Sequence, residues 1–401
     1  MARTLQINSR GDDVRFLQDR LNSHPLTVLP SLLVDGEFGP KTQAHVKEVQ
    51  RNSSLTADGV VGPATWNGLL GRETTETIGF FVLEGNLYDR FGTRVVLRGI
   101  NKMSVFDESD AFGLISFPEI KKTGANTVRI VWAMTEDLDP NGVPTSSATL
   151  DALIKNAKVN HLIPMVELHD ATGNWSRLDE LVDYWTKPEI TTVIARHQHY
   201  LLVNIGNEVG DDTVSKADFL AAYSAAVQRM RKANIRTPLV IDASTWGKDL
   251  AMLNNTAADL LSADPDSNLI FSVHLYWSQS CGYDSASIKR VLEEASNLKY
   301  PLIVGEFSRY GGYPCNEPEA SICSAGGEIN YKAILAVCHD LEIGWYVWEW
   351  GPGNDFEDPL CAVMDMTPDR LFNNLKPGWA HEVAISSPFG IRRTSITPTS
   401  I

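Results

Sequence analysis

No run of eighteen apolar residues occurs in this 401-residue chain, so nothing in it reads as a membrane-spanning helix. Basic charge is scarce. Lysine and arginine number 35 against 50 acids, a net charge of −15, which excludes the footprint of a nucleic-acid binder or a protein of anionic membranes. The same charge weighs against a highly anionic substrate. No glycine-rich loop of the kind that cradles phosphate is present. Cysteine is missing before Cys281, and the five cysteines beyond it cannot all pair. Cys315 and Cys323 share one loop and form the expected disulfide, with Cys281 and Cys361 as competing partners and reduced, buried thiols as the alternative. The opening Met-Ala-Arg-Thr-Leu-Gln lacks an apolar leader. The expectation is either a chain not exported by the usual route or a mature form with an added start.

What is present divides in two. Residues 1–72 are close to neutral, which leaves about −16 on the remainder. The first part carries a repeat, Asp35-Gly-Glu-Phe-Gly-Pro-Lys-Thr42 and Asp58-Gly-Val-Val-Gly-Pro-Ala-Thr65. In each copy Asp-Gly supplies a tight turn, and proline opens a helix where its missing N–H costs nothing. Gly11–Leu21 places Val14, Leu17 and Leu21 on one helical face. Three short helices around Leu17, Leu21, Phe38, Val46, Val49, Trp66 and Leu69 are predicted. The doubled motif, with Leu17-Gln18, Val49-Gln50 and Thr65-Trp66, resembles the peptidoglycan-binding-domain-like module. That resemblance implies a cell-wall or other polysaccharide ligand. Packing against a neighbour is the bland alternative.

After a polar linker, Arg72–Thr77, a small hairpin over Phe80–Leu83 and Asn86–Asp89 leads into a second domain, residues 78–385. Its organising stretch is Tyr200–Gly210, Y-L-L-V-N-I-G-N-E-V-G. Tyr200–Ile205 suits a buried strand and is too short for a helix. It stops at Asn207 and Glu208, so an amide and a carboxylate stand at a strand tip. Pro301–Phe307 repeats the design and ends at Glu306. Strands over Val95–Asn101, Asn126–Trp132, Leu162–His169, Pro238–Asp242, Leu269–Tyr276 and Gly344–Trp350 alternate with helical segments, among them Thr149–Ala157, Ile190–His199, Lys216–Ala233, Ile288–Leu298 and Tyr331–Leu341. Eight strands in this alternation predict an α/β fold, a (β/α)8 TIM barrel behind a small N-terminal three-helix domain. The Ser/Thr-rich tail, residues 386–401, is expected to be peripheral.

The strand tips carry Asn101, Arg129, His169, Asn207, Glu208, His274, Tyr276, Glu306 and Trp348. In this order they resemble the retaining glycoside hydrolases of family 5, in clan A. Val166-Glu-Leu-His-Asp-Ala-Thr-Gly173, Asp183-Tyr-Trp185, Ile241-Asp-Ala-Ser-Thr-Trp-Gly247, Phe271-Ser-Val-His-Leu-Tyr276 and Val304-Gly-Glu-Phe307 are closest to its bacterial endo-β-1,4-mannanases. Two stretches depart from that pattern. Val209-Gly210 follows Glu208 where Pro or Trp is more usual. Trp348–Asn354 reads W-E-W-G-P-G-N where those mannanases have W-S-W-K-G-N.

The resemblance implies Glu306 as nucleophile and Glu208 as acid/base. Two glutamates suit such chemistry, because carboxyls roughly 5–5.5 Å apart let one attack carbon with no water between. Arg129 and Tyr276 are placed to stabilise the Glu306 carboxylate, Asn207 to bond the sugar 2-hydroxyl, and His274 to orient Glu208. His169 is placed to touch the sugar and Trp348 to floor it. Asn101 supports the site. Trp132, Trp246 and Trp277, with Trp175, lie near strand tips and offer flat apolar faces to a pyranose chain, which suits an endo-acting enzyme. Trp345 and Trp350 read as core.

The bland readings are a strand-tip glutamate as an ion-pair partner and His169 as a core histidine. His197-Gln-His199 is an H-x-H pattern, but it sits on a helix, where positions two apart diverge, so no metal is called for. No cofactor is called for either. The partner is a polysaccharide: mannan first, cellulose or mixed-linkage glucan as runner-up. Chitosan is third, through an acidic rim of Asp211, Asp212, Glu349, Asp355, Glu357 and Asp358. A non-catalytic polysaccharide-binding protein would lack one of the glutamates. A monomer acting secreted or at the cell surface is expected.

Overall fold

The computed structural model describes residues 4–25, 27–69, 79–90, 92–135, 145–316, 321–324, 326–354, 359–398 and 400–401, the side chains of residues 12, 63, 64 and 67 excepted. The linker Arg72–Thr77 and the rim acids Asp355, Glu357 and Asp358 lie outside the described residues. The chain divides into two compact units, Met1–Val95 with Pro398–Ser400, and Val96–Thr397 with Ile401.

In the first unit, helices α1 (Asp12–Ser23), α2 (Pro40–Asn52) and α3 (Pro63–Leu69) surround Leu5, Val14, Leu17, Leu21, Phe38, Val46, Val49, Val61, Trp66 and Leu69. The repeat has a physical basis that the motif alone does not name. Gln18 donates to Asp35 Oδ1 at 2.8 Å and accepts the Gly36 N–H at 2.9 Å. Gln50 does the same with Asp58 at 2.8 Å and Gly59 at 2.8 Å. Each amide also reaches the threonine that closes its copy, Thr42 at 3.3 Å and Thr65 at 3.0 Å. A buried glutamine thus satisfies each turn from within. The hairpin of β1 (Phe81–Leu83) and β2 (Asn86–Tyr88), assigned to the second domain on sequence, packs in this unit. Phe16 stacks on Tyr88 at 4.5 Å.

The second unit is a closed, all-parallel eight-stranded barrel, the expected TIM fold. Its strands are β3 (Arg98–Lys102), β4 (Thr127–Trp132), β5 (Ile163–Leu168), β6 (Leu202–Asn204), β7 (Leu239–Asp242), β8 (Leu269–His274), β9 (Leu302–Glu306) and β10 (Gly344–Val347), with β10 pairing β3. The outer helices are α4 (Ser116–Lys121), α5 (Ser147–Val159), α6 (Leu178–Trp185), α7 (Pro188–His197), α8 (Lys216–Lys232), α9 (Leu250–Ala263), α10 (Ser285–Asn297) and α11 (Tyr331–Asp340). Side-chain caps start five of them. Ser146, Ser215, Asp249, Asp284 and Asn330 accept the N–H three residues on. The pattern reading had no helix at α9, whose Asn254-Asn255-Thr256 run weakens its apolar stripe.

Two expectations are corrected. The tail is not peripheral: Ile391 is fully buried, Arg98 donates to Thr394 Oγ1 at 3.1 Å, and Asn126 donates to the Ile396 carbonyl at 2.9 Å. The disulfides are Cys281–Cys315 and Cys323–Cys361, not Cys315–Cys323, and Cys338 is a buried free thiol. The loop after β9 is therefore tied to the loop after β8 on one side and the loop after β10 on the other. Among the described residues no helix is long and apolar enough to cross a membrane.

Candidate active site

Arg129 is the centre of the C-terminal face. It lies on β4, inward, and is fully buried. A buried guanidinium needs its donors paired, and four strands or strand tips supply partners. Nη1 donates to Glu306 Oε1 at 2.7 Å and Asn101 Oδ1 at 3.1 Å, and Nη2 to Asn207 Oδ1 at 2.7 Å and Asp242 Oδ2 at 3.4 Å. Burial opposes its charge, but Glu167, Glu306 and Asp242 outweigh that and hold it protonated.

The two expected glutamates come together beside it. One carboxylate oxygen of Glu208, one of Glu306 and a ring nitrogen of His274 all lie within 4.8 Å of one another. Glu306 is held at both oxygens, Oε1 by Arg129 and Oε2 by the Tyr276 hydroxyl at 2.8 Å. Burial raises its pKa, Glu208 adds to this, and His274 and Arg129 oppose it. Tyr276 stays a phenol, because burial and Glu306 push it well up. His274 Nδ1 is 2.7 Å from Glu208 Oε1. Burial disfavours the imidazolium, yet Glu306, Asp242 and Glu208 raise His274 to about 9.

Glu208 stands at φ +48°, a left-handed conformation that a side chain rarely adopts. Two bonds hold it there. Its N–H donates to Asp242 Oδ2 at 3.1 Å, and its carbonyl accepts the Gly173 N–H at 2.9 Å. Gly247 runs close beneath, where a Cβ would sit 2.8 Å from the His274 ring. Glu208, His274 and Glu306 are also the one group of metal-ligating type among the described residues. Their facing atoms already serve one another and Arg129, so the donor set suits a hydrogen-bonded carboxyl pair better than an ion.

Residues 91–354 match the family described as Cellulase (glycosyl hydrolase family 5). The chain belongs to glycosyl hydrolase family 5. Residues 10–69 match a peptidoglycan binding domain. A mannan endo-1,4-beta-mannosidase of Cellvibrio japonicus is 26% identical over 89% of this chain and 78% of its own. One of Streptomyces lividans is 30% identical over 82% of this chain and 79% of its own. A Thermomonospora fusca β-mannanase in complex with mannotriose superposes with a TM-score of 0.66 at 30% identity, over 80% of this chain and 98% of that one.

The other expected residues of this glycoside hydrolase fall into two groups. His169 accepts or donates at Nδ1 with Glu167 Oε1 at 2.9 Å, and its ring stacks with Trp348 at 6.1 Å between centroids. Asn207 gives its amide to Thr172 at 3.0 Å. Trp246 is 40% exposed, at a left-handed turn beside Gly173. Asn101 is fully buried and bonds the carbonyls of Gly305 and Val347, so it supports the site from below.

Trp132 and Trp277 are corrections. Alternation along β4 puts Arg129 inside, so Trp132 three residues on points out, fully buried under α6, with its indole N–H on the Tyr184 hydroxyl at 2.8 Å. Trp277 is buried against Tyr283 at 4.8 Å. Trp175 packs on Phe219, and Trp345 and Trp350 are core as expected. The acidic rim is corrected too. Glu349 is fully buried, which leaves Asp211 and Asp212 of that set at a described surface. Glu167 and Asp242 were missed. Their signal was a carboxylate inside an apolar strand, in V-E-L and V-I-D, which demands a buried partner.

Proposed function

We propose that this family 5 hydrolase is a retaining endo-β-1,4-mannanase. The observation that carries the reading is the approach of Glu208 to Glu306 within 4.8 Å. That spacing suits direct attack by a carboxylate and is too close to seat a water between the two, as inversion needs. Mannan is favoured because the relatives and the ligand-bound structure above bear that activity in their names. The chitosan reading loses Glu349, which is buried, and keeps Asp211 and Asp212.

Glu306 acts as nucleophile. With Arg129 and Tyr276 donating to its two oxygens, a proton on it would displace a hydrogen bond, so its ionised form is the one this environment accommodates. Its oxygen attacks the anomeric carbon, and the glycosidic C–O bond breaks. Glu208 delivers a proton to the departing oxygen. In the free site that proton is held by His274, 2.7 Å away, and expulsion of water by the sugar drives it across, because a neutral pair is cheaper to bury than two ions. Glu208 then takes a proton from water, which attacks the anomeric carbon; the bond from that carbon to Glu306 breaks, and the second inversion gives net retention. Asn207 faces the 2-hydroxyl, His169 the sugar, and Trp348 its apolar face.

The first domain holds the enzyme to wall or polysaccharide, and two disulfides suit action outside the cell. Hydrolysis of mannan, glucan, chitosan and peptidoglycan by wild type and Glu306→Gln tests the reading, with the first-formed anomer read by NMR. Equal release by both proteins overturns Glu306 as nucleophile. An inverted first product overturns double displacement.

A further inference from the structure

Behind Trp348 lies a second buried acid pair that the mechanism does not use. The Trp348 indole N–H donates to Asn354 Oδ1 at 2.6 Å, and Asn354 Nδ2 donates to Asp365 Oδ1 at 2.6 Å. Asp365 also takes the Asn354 N–H at 3.2 Å. Beside it stands Glu349, wholly buried, whose Oε2 accepts the Met103 N–H at 3.1 Å. Its Oε1 is buried with no donor to satisfy it. An ionised carboxylate oxygen left so is costly, and a proton on it, shared with Asp365, removes the cost.

The charged groups facing Glu349 favour that state. Lys102 on β3 is committed to Asp107 at 2.7 Å, and Asp107 is further paired with Arg370 at 2.7 Å. Lys102 is the cation that acts on Glu349. Burial pushes Glu349 up to about 8, with Lys102 opposing and Asp365 adding.

We propose that Glu349 is a positioning residue: as a neutral acid it donates its proton to Asp365 and, through Asn354, holds the Trp348 indole flat under the sugar. The inference rests on the mannanase reading only through Trp348 as the floor of the site. Once the proton leaves, two adjacent carboxylates repel, the Asn354 bridge loosens and the indole is released. Substrate binding then weakens, while the chemistry at Glu208 and Glu306 is untouched.

The test measures KM and kcat against pH from 6 to 9.5, on the soluble manno- or cello-oligosaccharide that wild type cleaves. In parallel, the indole N–H resonance of Trp348 is followed in 15N-tryptophan-labelled protein, assigned with Trp348→Phe. In wild type, KM rises about threefold to tenfold with a midpoint near pH 8, kcat changes less, and the indole resonance shifts with the same midpoint. Glu349→Gln keeps a donor to Asp365 but cannot ionise, so the step near pH 8 vanishes from both readouts and only the His274 limb near pH 9 remains. If Glu349→Gln does not fold, Asp365→Asn serves: it removes the neighbouring charge and moves the midpoint lower. Superimposable KM profiles for wild type and Glu349→Gln, or an indole resonance that ignores the midpoint, overturn the proposal. If no oligosaccharide is cleaved, the mannanase reading fails on its own, and the indole signal still decides this one.

Discussion

The two units bury polar groups in opposite ways. In the first, neutral amides do the work. Gln18 and Gln50 each saturate one turn, and their partners lie 8 to 24 residues away in the chain. In the barrel, a charged guanidinium gathers partners from β3, β7, β9 and the tip of β6, up to 177 residues away. A neutral, local clamp forms as its own turn forms. A charged, distant one is satisfied only when the barrel closes, and until then it is an unpaired ion. The contrast separates what holds a module together from what prepares a reaction.

The sharpest way to break the contrast is at the charged end. Glu306→Gln should lower kcat by roughly 10⁴-fold or more with the fold retained, as checked by steady-state assay and circular dichroism. Glu208→Gln should lose about 10²- to 10⁴-fold, the range of a general acid. Arg129→Met removes the guanidinium that Glu306, Asp242 and Glu167 share. It should cost roughly 3–5 kcal/mol in denaturant unfolding of the barrel.

The next effect is in pH. The folded pKa of His274 is raised to about 9 from the ordinary 6.5, so its stabilising contribution is complete below about 6.5 and is lost as pH rises through 9. Unfolding free energy should fall by roughly 3 kcal/mol across that window. His274→Gln should flatten this limb; a limb unchanged in the variant would show that another group is responsible. At the neutral end, Gln18→Ala or Gln50→Ala should cost about 1–3 kcal/mol, seen as lower melting of the first unit alone, with kcat unchanged. A fall in kcat would show that the two units do not separate their tasks.

The same contrast explains what could be read from the chain. The eight strands were visible because apolar runs stop sharply at polar tips, as at Glu208 and Glu306. The repeat was visible because its chemistry is local. Trp132 was misread because nearness to a tip was counted and strand alternation was not. Disulfide pairing was hidden because it depends on which loops the closed barrel makes neighbours. Glu349 was misplaced because a charged residue past a strand tip reads as surface, while its burial is decided by what packs on it from elsewhere in the chain, Lys102 and Asp365 among them. The tail looked featureless because its role is carried by Thr394 and by main-chain carbonyls, which have no pattern of their own.

The covalent cross-links all fall on one side of the barrel mouth. Cys281, Cys315, Cys323 and Cys361 stitch together the three loops that follow β8, β9 and β10, while no cysteine precedes Cys281 to do the same for the loops after β3 to β7. One bank of the entrance thus carries both covalent ties, and the other is held by non-covalent contacts alone. Glu306 therefore stands on the stapled bank and Glu208 on the unstapled one, so reducing agents reach the footing of the first carboxylate and leave that of the second unchanged.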